Sequence, residues 1–193
     1  GSTTYESLIA MFAQAESGKI ASVKNTGTIN VGFDNSIGMY ASGVGSIAEN
    51  IGTINITGKK AIGMYLESGA TGINRGNITI EATAQSAIAA YSTGKNTIFK
   101  NYGTITLKAP SSKGIVTANG AKDNVVAGTI NAQNPSAERT KNIEGTAGGD
   151  KKFGDKTLSV PKGGLRNSTI LDSKGNVITP AEIDVTTGTN LSV

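Results

Sequence analysis

Five short echoes run through the first two thirds of the chain. They read Asn25-Thr26-Gly27-Thr28-Ile29, Asn50-Ile51-Gly52-Thr53-Ile54, Asn74-Arg75-Gly76-Asn77-Ile78, Asn101-Tyr102-Gly103-Thr104-Ile105 and, degraded, Val126-Ala127-Gly128-Thr129-Ile130. The glycines fall at 27, 52, 76, 103 and 128, so the steps are 25, 24, 27 and 25 residues. A period near 25 that tolerates small insertions fits a solenoid, because a coil can lengthen a loop while its strands keep register. A solenoid generates surface, and the expected function is a binding face rather than a catalytic cavity.

Within each period two strand patterns stand out. Thr28-Ile29-Asn30-Val31, Thr53-Ile54-Asn55-Ile56, Asn77-Ile78-Thr79-Ile80, Thr104-Ile105-Thr106-Leu107 and Thr129-Ile130-Asn131-Ala132 alternate polar and apolar residues, the period-2 signature of a half-buried strand. The second pattern is Ile37-Gly38-Met39-Tyr40, Ile62-Gly63-Met64-Tyr65, Ile88-Ala89-Ala90-Tyr91 and Ile115-Val116-Thr117-Ala118. A weaker apolar site precedes each Asn, at Val23, Ile47, Ile73, Ile98 or Phe99, and Val125. Three short strands per 25 residues describe an all-β, right-handed parallel β-helix of about five coils over residues 20–132, the hand following the usual crossover preference. One coil cannot fold alone. Its handful of buried side chains contributes roughly 1.5 to 3 kcal/mol each, against about 25 to 50 kcal/mol for ordering its backbone.

Both ends of the repeat need separate treatment. Gly1-Ser2 reads as the scar of a cleaved tag. Thr3-Thr4-Tyr5-Glu6 fits a capping box, and Leu8, Ile9, Phe12 and Ala15 fall on one helical face before Gly18. Residues 1–19 are therefore expected to hold a short N-terminal capping helix, over 4–17, with Leu8 and Phe12 covering the first coil. From 133 to 167 the period fails and a Gly-rich basic loop or insertion is expected. Seven Lys or Arg stand against Glu144, Asp150 and Asp155 between Arg139 and Arg166. Residues 168–193 read as a C-terminal β segment, cap or further coil, beginning with strand, turn and strand around Asp172-Ser173-Lys174-Gly175.

Composition narrows the function classes. The chain has 193 residues and no cysteine or histidine, which excludes disulfides, thiolate metal sites, Cys nucleophiles and His-dependent triads. A net charge of +4 with 5% aromatic residues falls short of the basic, aromatic-interleaved surface of a nucleic-acid binder. No apolar run approaches the length of a spanning helix, and no membrane contact by this segment is expected. Asp34, Glu49, Glu67 and Glu81 occupy different loop positions, unlike the clustered carboxylates of polysaccharide-active β-helices. No enzyme activity, metal or cofactor is expected.

Two columns of side chains remain. Asn25, Asn50, Asn74 and Asn101 should stack as a structural amide ladder, each donating to one neighbour and accepting from the other. Tyr40, Tyr65 and Tyr91 form the candidate ligand-binding column. If Ile37 and Met39 face inward, alternation turns the rings outward, where flat faces and hydroxyls suit sugars or protein partners. The polar grid of Thr28/Asn30, Thr53/Asn55, Asn77/Thr79 and Thr104/Thr106 is too irregular for an ice-ordering array.

The paired motifs Asn50–Ile56 and Ala61–Tyr65, with Ser36–Ala41, resemble the repeats of large fusobacterial type V autotransporter adhesins. That resemblance spans residues 20–132. It implies a surface-exposed passenger at the outer membrane or secreted, adhering to a host or bacterial cell-surface protein or glycan, and it assigns no ligand residue. It also gives the absent cysteines a reason, since such a passenger threads unfolded through its barrel. The alternatives are a passive β-helical stalk and a polysaccharide-active β-helix enzyme. A monomer is expected.

Overall fold

The structure is a computed structural model that describes residues 8–121 and 124–143, and beyond them the backbone of seven short strands. The repeat is a parallel β-solenoid. Its first coil runs through β1 (Ile9–Gln14), β2 (Ala21–Asn25) and β3 (Thr28–Val31), its second through β4 (Ile37–Ser42), β5 (Ser46–Asn50) and β6 (Thr53–Ile56). The third holds β7 (Ile62–Glu67), β8 (Thr71–Asn74) and β9 (Asn77–Ile80), the fourth β10 (Ile88–Thr93), β11 (Ile98–Asn101) and β12 (Thr104–Leu107). The fifth is β13 (Lys113–Ala118), β14 (Val125–Val126) and β15 (Thr129–Ala132), and β16 (Glu138–Asn142) opens a sixth. Equivalent strands pair in parallel into three sheets: A, β1-β4-β7-β10-β13-β16; B, β2-β5-β8-β11-β14; and C, β3-β6-β9-β12-β15.

The expected capping helix is not formed over the described residues. Residues 1–7 lie outside them, and Ile9–Gln14 is β1, paired in register with β4 as Ile9↔Ile37, Met11↔Met39, Phe12↔Tyr40 and Ala13↔Ala41. Ile9-Ala10-Met11-Phe12-Ala13 is a further copy of Ile37-Gly38-Met39-Tyr40-Ala41, disguised by Gly→Ala, Tyr→Phe and a step of 28 residues. The open edge of β4 offers a row of backbone hydrogen bonds that overrides the local helical pattern. Phe12 accordingly does not cover the coil but stacks beside Tyr40.

The segment 133–167 is likewise not all loop, since its first residues form the turn at 134–136 and strand β16, paired with β13 as Lys113↔Glu138 and Ile115↔Thr140. Glu138-Arg139-Thr140-Lys141-Asn142 lacks apolar alternation, so only its register reveals it as a strand. Farther on, β17 (Gly149–Phe153), β18 (Lys156–Val160), β19 (Leu165–Asn167), β20 (Ile170–Leu171), β21 (Val177–Thr179), β22 (Glu182–Ile183) and β23 (Asn190–Leu191) pair antiparallel. The β20–β21 pair holds the two strands expected around Asp172, whose turn lies outside the described residues.

The core follows from alternation. Sheet C sends in Val31, Ile54, Ile56, Ile78, Ile80, Ile105 and Leu107, while sheet A sends in Met39, Met64, Leu66 and Ile115. Sheet B bears out the expected third apolar site at Val23 and Phe99 and corrects it in between. Ile47, Ile73 and Ile98 are only half-buried, and the inward column is Val23, Ala48, Gly72 and Phe99. Sizes are complementary across the core. A Cβ on Gly72 would lie 2.3 Å from Leu66 Cδ1. One coil on, Ser92 occupies the Leu66 register and Phe99 that of Gly72, so large and small exchange sides.

The corners repeat as faithfully as the strands. Gly69, Gly94 and Gly120 turn from sheet A to sheet B with φ of 89°, 92° and 90°, a conformation that favours glycine. At the corner from C to A, Asn35, Lys60 and Ser86 adopt positive φ, and their amides donate to the next coil at Lys59 O, Gln85 O and Pro110 O, all at 3.0 Å.

Candidate functional site

The first four strands of sheet A each turn one aromatic ring outward, and parallel register places these in a single file, Phe12, Tyr40, Tyr65 and Tyr91. The file ends at β13, where the same register holds the buried Val116. Ring centroids are 5.0, 5.2 and 5.1 Å apart, close to the spacing of the strands that carry them, with interplanar angles of 29°, 19° and 33°. Met39 faces inward as expected, whereas Ile37 is half-buried, and Gly38 and Met39 are both buried. The three tyrosines are half-buried, and Phe12 is half exposed at 50%. Sequence reasoning missed Phe12, although its place in the Ile-x-Met-x-Ala pattern could have revealed it.

This geometry changes what the column can offer. Rings one coil apart lie against one another, so the faces of Tyr40 and Tyr65 are engaged within the stack. Solvent meets ring edges and hydroxyls, with apolar ring surface most open at Phe12. Glu67, at the end of β7, lies beside the hydroxyls. Tyr40 Oη donates to Glu67 Oε1, and Ser42 Oγ donates to the same oxygen at 3.1 Å. Burial in the stack, reinforced by the Glu67 carboxylate, pushes the Tyr40 hydroxyl up to about 12. Burial and the same carboxylate raise Tyr65. Both phenols are therefore hydrogen-bond donors at neutral pH, arranged around one acidic group.

The asparagine column lies on the inside, at the turn from sheet B to sheet C. Asn25 Nδ2 donates to Asn50 Oδ1, Asn50 Nδ2 to Asn74 Oδ1, and Asn74 Nδ2 to Asn101 Oδ1, each at 2.8 Å. Each amide also donates within its own turn, to the carbonyls of Gly27, Gly52, Gly76 and Gly103. These side chains are buried and occupied by one another, which leaves no vacancy for a ligand.

Three further carboxylates among the described residues are engaged on separate faces. Glu49 bridges Lys24 and Arg75, both at 3.1 Å, and the Lys24 hydrogen bond outweighs burial to hold its carboxyl below the usual range. Arg75 also lies over the Tyr102 ring, 4.8 Å from its centroid. Glu81 pairs with Lys108 at 3.0 Å, and Asp34 Oδ1 accepts from Lys59 N at 2.8 Å. Among the described residues, no three acidic side chains cluster as a metal site would require.

Residues 2–76 match the family model of the BigA third pectate lyase-like domain. The match runs from β1 through β8, so it includes Phe12, Tyr40 and Tyr65 and the first three rungs of the asparagine ladder. No curated protein and no solved structure matches the chain. The likeness to a pectate lyase-like domain agrees with the parallel β-solenoid.

Proposed function

We propose that this chain is a β-helical passenger segment of a bacterial surface adhesin, an autotransporter of the fusobacterial type V kind, that holds host or bacterial surface glycans or proteins. The observation that carries the proposal is the ring file: four aromatic side chains kept at coil spacing on one rigid face, with phenol donors grouped around Glu67. The match of residues 2–76, the first two coils and the first two strands of the third, to a domain type from bacterial surface-exposed proteins supports the location. The function is recognition rather than catalysis, a reading supported by the engagement of Asp34, Glu49 and Glu81 in bonds between coils. Weak contacts repeated at coil spacing sum through multivalency. Their polar, edge-on character suits sugar hydroxyls more than a flat stacking platform would.

The test is to pass labelled protein over a glycan array and over panels of bacterial and epithelial cells, beside the triple variant Tyr40→Ala, Tyr65→Ala, Tyr91→Ala. Saturable binding that falls at least about tenfold in the variant is expected, the equivalent of about 1.4 kcal/mol, with the β-sheet CD signal retained. Binding that survives the triple substitution removes the ring file from the adhesive surface. Absence of any binding by the folded chain favours a stalk, a reading to which the mutually paired charges of Lys24, Glu49, Arg75, Glu81 and Lys108 would also suit.

A further inference from the structure

We propose that the first coil is an interface built to receive another parallel coil of the same repeat, carrying the same Asn-x-Gly turn, on its outer side. Three independent features point there. The first is Gly27. A Cβ on Gly52, Gly76, Gly103 or Gly128 would lie 2.0 to 2.1 Å from the carbonyl of the preceding turn's glycine, so these positions need glycine sterically. At Gly27 a Cβ would meet nothing within 4 Å, and its φ is not positive. The side chain is missing where this coil alone gives no reason for it to be missing, and a preceding turn supplies the reason.

The second feature is a substituted hydrogen bond. The amides of Gly52, Gly76, Gly103 and Gly128 donate to the backbone carbonyls of Asn25, Asn50, Asn74 and Asn101 in the coil before, at 2.8 to 3.1 Å. Gly27 N instead donates to Asn25 Oδ1 at 3.2 Å. That oxygen is the one which, in Asn50, Asn74 and Asn101, accepts the ladder amide. In the first coil two groups meant for a neighbour satisfy each other. A docked coil would give Gly27 a carbonyl and Asn25 an amide, extending the ladder by a rung.

The third is apolar exposure. Strands β1, β2 and β3 are the terminal strands of sheets A, B and C. Ile9 and Phe33 are 49% and 56% exposed, and a hollow of about 240 Å³ opens between Leu8, Ile9, Val31, Phe33 and Ile37. Open edge and apolar hollow together match the underside of a coil, which brings both strands and core residues.

The test inserts a copy of residues 37–61, one full coil, between Leu8 and Ile9, so that Ile9 follows the copy as Ile62 follows the original. In the chain as it stands Gly27→Ala should leave the thermal midpoint unchanged. In the extended chain the same substitution should lower it as far as Gly76→Ala does, and the Gly27 amide should exchange with solvent at least about tenfold more slowly, as a newly paired edge requires. The extended chain should also melt higher than the original. A second insertion, copying residues 62–87, guards against a poor junction. If Gly27→Ala stays silent in both extended chains, or both melt lower than the original, the proposal is overturned. So is it if the unextended chain dimerises through this end, with Phe33→Ser abolishing the dimer and insertion adding no stability. That result gives the surface to a second copy instead.

Discussion

Replacing Asn50 with alanine is expected to destabilise the solenoid by about 3–5 kcal/mol, the sum of two to three buried hydrogen-bonding losses and a small cavity. Asn50 is fully buried and holds the ladder from both sides, accepting from Asn25 and donating to Asn74 at 2.8 Å. It also donates to the carbonyls of Gly52 and Asn77 at 3.3 Å. Its loss strands the Asn74 oxygen in a place water does not reach. Asn25→Ala is the internal comparison, because Asn25 ends the ladder. It gives up the one rung to Asn50 and a bond to Thr53 O, while the Gly27 amide and carbonyl that it also bonds are exposed and can turn to water. Its cost should be about 1–2 kcal/mol, below that of Asn50, because water replaces part of what is lost at the exposed turn. Urea denaturation read by CD separates the two, and equal losses would mean that the amides do not act as a chain. Because coils contact only their neighbours, the Asn50 variant should loosen coils one to three before the rest, a difference visible in amide exchange.

Gly76→Ala is expected to cost about 3 kcal/mol or more, the upper end of the range for forcing atoms into a filled space. The new Cβ would lie 2.0 Å from Gly52 O, 2.3 Å from Ile51 O and 2.6 Å from Ile51 C. All three are backbone atoms of the turn below, and that turn cannot retreat without pulling Asn50 and Asn74 apart. Reduced unfolded-chain entropy returns only about 0.4–1 kcal/mol. For a domain of this size the thermal midpoint should fall by about 6–12 °C. Gly32→Ala is the control, since its Cβ would make an ordinary 3.6 Å contact with Thr57 Oγ1 and should leave the midpoint unchanged. Calorimetry on the pair decides whether close stacking of turns, rather than the flexibility of glycine, explains the repeat.

Much of this was legible because a stack repeats its constraints. The glycine step, the alternating strands of sheet C and the asparagine ladder each impose one requirement per coil, so their residues recur. What could not be read were positions where coils compensate for one another. Leu66 against Gly72, then Ser92 with Phe99, conserve volume across the core while erasing the column of similar residues that marks a strand. Parity from the buried asparagines was the missed signal: two residues before Asn25, Asn50, Asn74 and Asn101 stand Val23, Ala48, Gly72 and Phe99, the inward set. At the first coil, helical spacing of Leu8, Phe12 and Ala15 competed with strand pairing, and the edge of β4 decided the outcome. For the candidate site, sequence placed Tyr40, Tyr65 and Tyr91 in one file but could not tell that the rings lie against one another, nor that Glu67 sits among their hydroxyls.

Everything proposed for the ring file depends on coils stacked in one register, and a chain without cysteine allows that to be tested directly. Asn55 and Thr79 are outward-facing register partners on adjacent strands of sheet C, and Thr106 stands one coil farther on. The double variant Asn55→Cys, Thr79→Cys should oxidise to an intramolecular disulfide, since neighbouring strands lie about 4.8 Å apart, within disulfide reach. The pair Asn55→Cys, Thr106→Cys spans two coils, about 9.6 Å, and should remain reduced and reactive toward a thiol reagent. Free thiols in the first variant, or a disulfide in the second, would contradict the stacking on which the recognition face is built.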